Sequence, residues 1–167
     1  MNYIDVIESR RSMRSYLDKE VTEEQIKKLL NEAVLSPSAY NRQPWKFMSL
    51  AGADKDWVAD TMEQEDLKTK RTALAIKQAP IILLVLNTEL ESRLEDLISI
   101  GGMIEQLCLS ATNMGLGTLW MTHPLVIKEK IEKQFNLSYD LVSIIAIGYP
   151  EYIPEKRPRK ELTEVLI

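Results

Sequence analysis

An unbroken aliphatic run, Ile81 to Leu86, follows Pro80 in the middle of the chain. Strands buried on both faces have continuous runs of this kind, whereas a strand with one face in solvent alternates apolar with polar residues. The run therefore predicts a central strand from Pro80 to Leu86. Three further strands are predicted, at Lys46 to Ala51, Thr118 to Met121 and Leu141 to Ile147.

Helices are predicted between these strands. Thr22 and Gln25 form a capping-box pattern that begins one helix, and Pro37 ends it near Ser36. Residues 93–113 are apolar on nearly all sides, which is typical of a core helix and also of a helix that crosses another subunit. Other helices are predicted before Arg10, in the charged connection 54–78, which is a candidate lid, and at 125–135.

Length and charge restrict the class of protein. The 167 residues predict one domain, 1–167, and its formal charge of −4 with no basic tail argues against a nucleic-acid partner. The longest apolar stretch is interrupted by polar residues, so no membrane span is expected. A single cysteine, Cys108, allows no internal disulfide, and the first residues lack the features of a signal peptide. The predicted location is cytoplasmic.

Arginine is concentrated at residues 10–14, where Arg10, Arg11 and Arg14 surround Ser12. Guanidinium groups offer planar bidentate donors to phosphate oxygens, so this segment suits a phosphate dianion. Cations at the end of a helix also interact with its dipole, and this explains an isolated Arg-Arg pair equally well. Arg14 lies beyond the predicted helix and favours the phosphate interpretation.

A loop from Ser36 to Pro44 supplies uncharged hydrogen-bonding groups suited to a ring system, and with the arginines it suggests a flavin mononucleotide (FMN) site. The last part of the chain, 150–167, is predicted to be an extended arm. Pro158 enforces an extended backbone, so Arg157 and Arg159 project to one side and can clamp an anion together with Arg10 and Arg14. A solvated basic tail is the alternative.

Five motifs occur in order along nearly the whole chain, and together they resemble the nitroreductase family of FMN flavoproteins. They are Arg10 to Tyr16, Val21 to Glu24, Pro37 to Trp45, Gly115 to Trp120, and Gly148 to Pro150 with Arg157 to Arg159. The resemblance implies an α+β fold with a mixed central sheet flanked by helices. It also implies a homodimer with two FMN sites at the interface and an arm, 150–167, that reaches the partner subunit.

The same resemblance implies roles for individual residues. Arg10, Ser12 and Arg14 would hold the phosphate and flavin edge together with Arg157 and Arg159, and Arg11 would share this work. Other flavin contacts would come from the second subunit, namely Pro37, Ser38, Ala39 and Asn41, with Gln43 close by. Met121, Thr122 and His123 would pass the reactive edge, where a backbone N–H can bond flavin N5. His123 replaces a glycine common among relatives; it is either a structural hydrogen-bonding residue or a proton donor that narrows the pocket.

The chemistry implied is hydride transfer. NADH or NADPH would reduce the flavin at N5 and leave, and a small-molecule electron acceptor such as a quinone or nitroaromatic would then enter, in a ping-pong cycle. No Gly-x-Gly-x-x-Gly fingerprint occurs, so the nicotinamide would stack on the flavin only transiently. Three alternatives remain: a flavin dehydrogenase or dehalogenase of the same fold, a flavin-storage protein, and an anion-binding or interaction domain without flavin. No metal site is expected.

Overall fold

The structure, a computed structural model, describes residues 2–65, 69–89 and 93–167. Its centre is a four-stranded sheet in the order β1-β2-β4-β3. The strands are β1 (Trp45–Ala51), β2 (Ile81–Asn87), β3 (Gly117–Met121) and β4 (Asp140–Gly148). Neighbouring strands all pair antiparallel, and parallel pairing within the described ranges is limited to an isolated bridge between Ser12 and Thr118. The predicted α+β class and the four predicted strands are confirmed, whereas the sheet, predicted to be mixed, is antiparallel at all three of its strand pairs.

The central strand β2 is buried on both sides. Ile82, Leu84 and Leu86 pack into one apolar cluster, whereas Leu83 and Val85 pack into a second cluster on the opposite face of the sheet. Successive side chains of a strand point to opposite faces, so an all-aliphatic strand can serve two cores at once. The continuous aliphatic run in the sequence therefore forms a central strand buried on both faces, as predicted.

Helices cover both faces of the sheet. On one side lie α2 (Glu23–Ala33) and the long α5 (Leu94–Asn113), which pack on each other; on the other lie α3 (Gly52–Glu65) and α4 (Lys70–Gln78). The capping box at Thr22 is present: its hydroxyl accepts from the Gln25 amide, and the Gln25 side chain accepts from the Thr22 amide. No helix in the described part of the chain combines the length and apolarity needed to cross a membrane.

Two predicted helical segments are divided in the structure. The connection 54–78 forms the pair α3 and α4, with residues 66–68 outside the described ranges, and its role as a lid stays a prediction. The segment 125–135 begins as a 3₁₀ helix, His123–Ile127, and continues as α6 (Lys128–Gln134). Pro124 stands in the first turn of the 3₁₀ helix, where its missing N–H costs no hydrogen bond.

The two ends of the chain were predicted to be a short helix and an extended arm. A short helix, α1 (Tyr3–Ser9), precedes the arginines, and Arg10 is its C-cap. After β4 the chain has little regular structure and its side chains are largely exposed, apart from a four-residue helix, α7 (Leu162–Val165). The extended arm and its contact with a partner subunit stay predictions.

Candidate functional site

The arginine segment, residues 10–14, is fixed to the edge of the sheet by its one apolar side chain. Met13 is buried, its amide donates to the Thr118 carbonyl of β3 at 2.9 Å, and its carbonyl accepts from the Tyr16 hydroxyl at 3.1 Å. Burial raises the pKa of Tyr16, so its hydroxyl stays a donor. With Met13 facing inward, Ser12 and Arg14 are exposed to solvent.

Gly117 makes room for this attachment. A Cβ atom at position 117 would lie 2.5 Å from Cγ and 3.1 Å from Cβ of Met13. The distance to Cγ is shorter than carbon atoms in contact adopt, so any side chain here would push Met13, and with it the arginine segment, away from β3. The predicted Gly-Leu-Gly motif thus has a packing function under residues 10–14.

The arm is brought back to the arginine segment by backbone pairing. Tyr16 and Pro150 form an antiparallel bridge, and the Leu17 amide donates to the Tyr149 carbonyl at 2.9 Å. The Glu151 amide donates to the Ser15 carbonyl at 3.2 Å, and the Ser15 hydroxyl donates to the Glu151 carboxylate. These contacts direct residues 152–159 over the arginine segment.

A cavity of about 220 Å³, here called the arginine cavity, lies where the two ends of the chain meet. Six of its lining residues were predicted from the sequence: Arg10, Arg11, Ser12, Arg14, Arg157 and Arg159. The others are Arg71, Tyr152, Pro154 and Glu155. An adjacent cavity shares four of the arginines and adds Lys156. The structure therefore brings the predicted phosphate ligands together.

The charge of the arginine cavity is largely unbalanced. Arg10 lies 3.5 Å from the Glu105 carboxylate, whereas in the described ranges Arg11, Arg14, Arg71, Arg157 and Arg159 have no carboxylate within ion-pair distance. Arg11 donates to the carbonyls of Glu8 and Arg10, and its Nε is buried without a described hydrogen-bond partner. A phosphate dianion, with several acceptor oxygens, is the group that such a set of donors fits.

A second cavity, the loop cavity, lies between α5 and the loop that precedes β1. It measures about 410 Å³ and is lined by Ser36, Pro37, Ser38 and Ala39 on the loop side and by Glu95, Ile98, Ser99 and Gly102 on the α5 side. Three of these residues, Pro37, Ser38 and Ala39, were predicted to approach a flavin. The loop cavity and the arginine cavity have no lining residue in common.

The loop is held in an unusual backbone conformation. Tyr40, Asn41 and Gln43 have φ values of 53°, 55° and 51°, in the left-handed region that non-glycine residues rarely adopt. The side chains of the predicted ligands Asn41 and Gln43 are consequently exposed beside the loop cavity rather than lining it. Such strain persists only where neighbouring structure fixes the backbone, and it is common at ligand-binding sites.

The predicted flavin-edge segment, residues 121–123, contributes no lining residue to either cavity. Met121 is a buried residue of β3 opposite Ile144, and Thr122 and His123 follow it at the surface. Nδ1 of His123 lies 3.3 Å from the hydroxyl of Thr72 on α4. His123 is thus engaged in a hydrogen bond between two elements, and its proximity to a flavin stays a prediction.

Arg71 is the one arginine of the cavity that was not predicted from the sequence. It lies at the start of α4, in a charged segment where one arginine among many charges carries no distinguishing signal. Only the packing of α4 beside the arm brings it to the arginine cavity. No group of three or more His, Cys, Asp or Glu side chains in the described ranges is arranged to hold a metal ion.

Comparison with known proteins identifies the family to which this chain belongs. A Methanothermobacter thermautotrophicus protein, whose name assigns it NADH dehydrogenase/NAD(P)H nitroreductase activity by inference, is 31% identical over 94% of this chain and 82% of its own length. A Desulfovibrio desulfuricans protein with a nitroreductase assignment, solved with FMN, superposes with a TM-score of 0.86 at 23% identity, over 100% and 96% of the two chains. An FMN- and NADPH-dependent nitroreductase from Sphigopyxis sp. strain HMH gives 0.91 at 16% identity, over 100% and 98%. The model of the nitroreductase family matches residues 7–149, and this chain belongs to that family.

Proposed function

We propose that this nitroreductase-family chain, an FMN-dependent oxidoreductase, passes hydride from NADH or NADPH to a small-molecule electron acceptor such as a quinone or a nitroaromatic, in a ping-pong cycle. The observation that carries the proposal is the arginine cavity, because it gathers arginines from both ends of the chain, and all of its arginines except Arg10 lack a carboxylate partner among the described residues. The relative from M. thermautotrophicus, named for the use of NADH or NAD(P)H, supports the choice of donor.

The arginine cavity would hold the FMN phosphate. Arg10, Arg157 and Arg159 supply guanidinium donors, and Ser12 adds a hydroxyl on the same exposed face as Arg14. When bound, the flavin supplies hydride transfer at N5. The protein's part is to orient the ring and to surround it with positive charge; Arg71, on the α4 side of the cavity, adds to that charge.

The loop cavity would receive the ring from the partner subunit. The two cavities share no residue, so one chain offers a phosphate site and a separate ring site, and a symmetric dimer can place one against the other. Large apolar side chains are exposed on α1, on α5 and on β3, as expected of a surface that a second copy covers. They are Tyr3, Ile4, Ile7, Leu97, Ile98 and Trp120. The segment 121–123 would then pass the reactive edge of the ring, as the family resemblance implies.

An absorption spectrum of the purified protein tests the proposal. FMN is added, and the flavin bands are followed anaerobically, first with NADH and then with NADPH. Rapid bleaching by either donor, reversed by a quinone or a nitroaromatic, is the expected result. Bound flavin that stays oxidised would favour a storage protein, and protein that takes up no flavin would overturn the proposal.

Subunit complementation tests whether the site is shared between two copies. One variant, R10A/R159A, disables the arginine cavity, and a second, Ala39→Trp, fills the loop cavity. Neither homodimer should turn over. Unfolding and refolding the two together should restore roughly a quarter of the wild-type sites, because half of the random dimers are mixed and each mixed dimer has one intact site. Activity that does not return, with dimers present, would mean that each site lies within one chain.

A further inference from the structure

An ion pair joins the loop of residues 36–44 to the first turn of α5. Nε and Nη2 of Arg42 lie 3.0 and 2.7 Å from the same oxygen, Oδ1, of Asp96, and Nη2 lies 3.1 Å from Glu95. The hydrogen bond to Asp96 raises the pKa of Arg42, so the guanidinium stays charged. Asp96 is fully buried, whereas Glu95 is about half exposed.

The ion pair between Arg42 and Asp96 is not explained by a contribution to the stability of the fold. The second oxygen of Asp96, Oδ2, is buried and accepts no hydrogen bond from the described residues. A buried ion pair seldom stabilises a protein more than apolar side chains of similar volume would, because both charges lose their hydration. The free-energy cost of burial is higher still for a carboxylate with one oxygen that accepts no hydrogen bond. The pair is better explained by a conformation that it maintains.

That conformation is the left-handed backbone of the loop. Arg42 stands between Asn41 and Gln43, both with positive φ, and its guanidinium also lies 5.1 Å from the centre of the Tyr40 ring. Two serines complete the attachment. The Ala39 amide donates to the Ser99 hydroxyl of α5 at 3.1 Å, and the Gln43 amide donates to the Ser38 hydroxyl at 2.9 Å.

The contacts thus bind the loop to α5 just before its strained residues, at Ala39, and among them, at Arg42. Ser99 and Glu95 also line the loop cavity, together with Ser38 and Ala39, so the same contacts set the shape of that cavity. Relaxation of Tyr40, Asn41 and Gln43 into ordinary backbone regions would displace its wall.

We infer that Arg42 and Asp96 are positioning residues that lock Tyr40, Asn41 and Gln43 in the left-handed conformation required to receive the flavin ring. The inference rests on the proposed function for the identity of the ring. Neither residue needs to touch the flavin. Both act through the backbone of Ala39, Asn41 and Gln43.

The test combines hydrogen exchange in the flavin-free protein with FMN titration by fluorescence. Asp96→Asn and Arg42→Gln each weaken the lock, and Arg42→Lys keeps the charge but loses the two-pronged geometry. The matched control is Lys77→Gln. It removes a cation that is likewise paired with two carboxylates, Asp60 at 2.7 Å and Glu63 at 3.4 Å, but lies between α3 and α4.

We expect the amides of residues 39–43 to exchange about tenfold faster in D96N and R42Q, and FMN to bind about tenfold more weakly, since each strained residue released corresponds to roughly that factor. Exchange in β2 and β4 should stay close to wild type. R42K should lie between wild type and R42Q, and K77Q should leave both the loop exchange and the FMN affinity unchanged.

Wild-type exchange at residues 39–43 in the folded variants would overturn the inference, as would faster loop exchange with unaltered FMN affinity. R42Q decides the matter if D96N does not fold, because Arg42 lies closer to the surface than Asp96. If the wild-type protein itself binds no FMN, the proposed function fails, whereas the exchange data still show whether the pair locks the loop.

Discussion

The two candidate ligand-binding regions both contain arginine, but they differ in how the charge of that arginine is balanced. In the arginine cavity, five of the six guanidinium groups have no carboxylate within ion-pair distance among the described residues. In the loop of residues 36–44, the single Arg42 is paired with two carboxylates, Asp96 and Glu95. A guanidinium already held by carboxylates fixes a backbone, whereas unpaired ones repel each other until an anion arrives. Sequence composition does not distinguish these two uses of arginine. The carboxylates that pair, or do not pair, with each guanidinium in the structure distinguish them.

The largest expected effect comes from removing two arginines of the arginine cavity, one from each end of the chain. R10A/R159A should weaken FMN binding by about 2 to 5 kcal/mol, the usual cost of truncating one side of a charge pair. Titration by flavin fluorescence measures the change. The control removes two cations elsewhere, Lys27 on α2 and Lys133 on α6, and should bind FMN as wild type does. Unchanged affinity in R10A/R159A would exclude the arginine cavity as the phosphate site.

The attachment of the arginine segment can be broken without altering any charge. Gly117→Ala introduces a Cβ that meets Met13 at 2.5 Å, and overpacking of this kind costs about 1 to 3 kcal/mol in stability. FMN affinity should fall with it, because the arginines move with Met13. Gly101→Ala is the matched control: its Cβ would lie 3.8 Å from Trp120, and alanine favours a helix interior by about 1 kcal/mol over glycine.

Denaturant unfolding of both variants, combined with FMN titration, distinguishes these outcomes. G117A should be less stable than wild type and G101A at least as stable. A G117A variant with wild-type affinity would show that the arginines hold their position independently of Met13.

The smallest expected effect depends on pH and comes from the buried thiol of α5 beside β3. Burial raises the pKa of Cys108 from an ordinary value of 9.0 to about 11. The unfolded chain therefore loses its thiol proton first, and the free energy of unfolding falls as the pH rises from about 9 to about 11. At pH 10 the loss should be about 1 kcal/mol. Denaturant titrations at pH 8 and pH 10 measure it, and Cys108→Ala should show a flatter dependence; an equal slope in the two proteins would contradict the assignment.

Much of the fold was predictable because its signals are local. The capping box at Thr22, the aliphatic run of β2 and the apolar seam of α5 each depend on residues a few positions apart, and all three are confirmed. Residues 125–135 differ in detail, because a 3₁₀ turn with Pro124 in its first turn precedes the helix. Family membership was predictable for a related reason. Each motif is a short local segment, and the order of the motifs along the chain can be recognised even when the segments between them differ.

The partners of the individual charges were not predictable. Within its motif, Arg42 carries no signal that distinguishes it from its neighbours. Asp96 has the sequence signature of any acidic residue in the first turn of a helix, and only the fold shows that it is completely buried. Arg71 joins the arginine cavity only through the packing of α4 beside the arm. Each of these residues is defined by a contact with residues more than fifty positions away, or by burial that depends on several elements. No local sequence pattern encodes such a contact or such burial.

The arginine cavity has a consequence for synthesis. Its two groups of arginines, at 10–14 and at 157–159, are separated by nearly the whole chain. A ribosome that has completed the sheet through β4 has still not made two of the six arginines that line the cavity, Arg157 and Arg159. Proteolytic trimming after Tyr152 would remove the same two arginines while leaving both apolar clusters intact. If the arginine cavity holds the FMN phosphate as proposed, trimmed molecules would bind flavin more weakly, so the yellow colour of a preparation would report intact molecules, whereas circular dichroism would count trimmed ones as well.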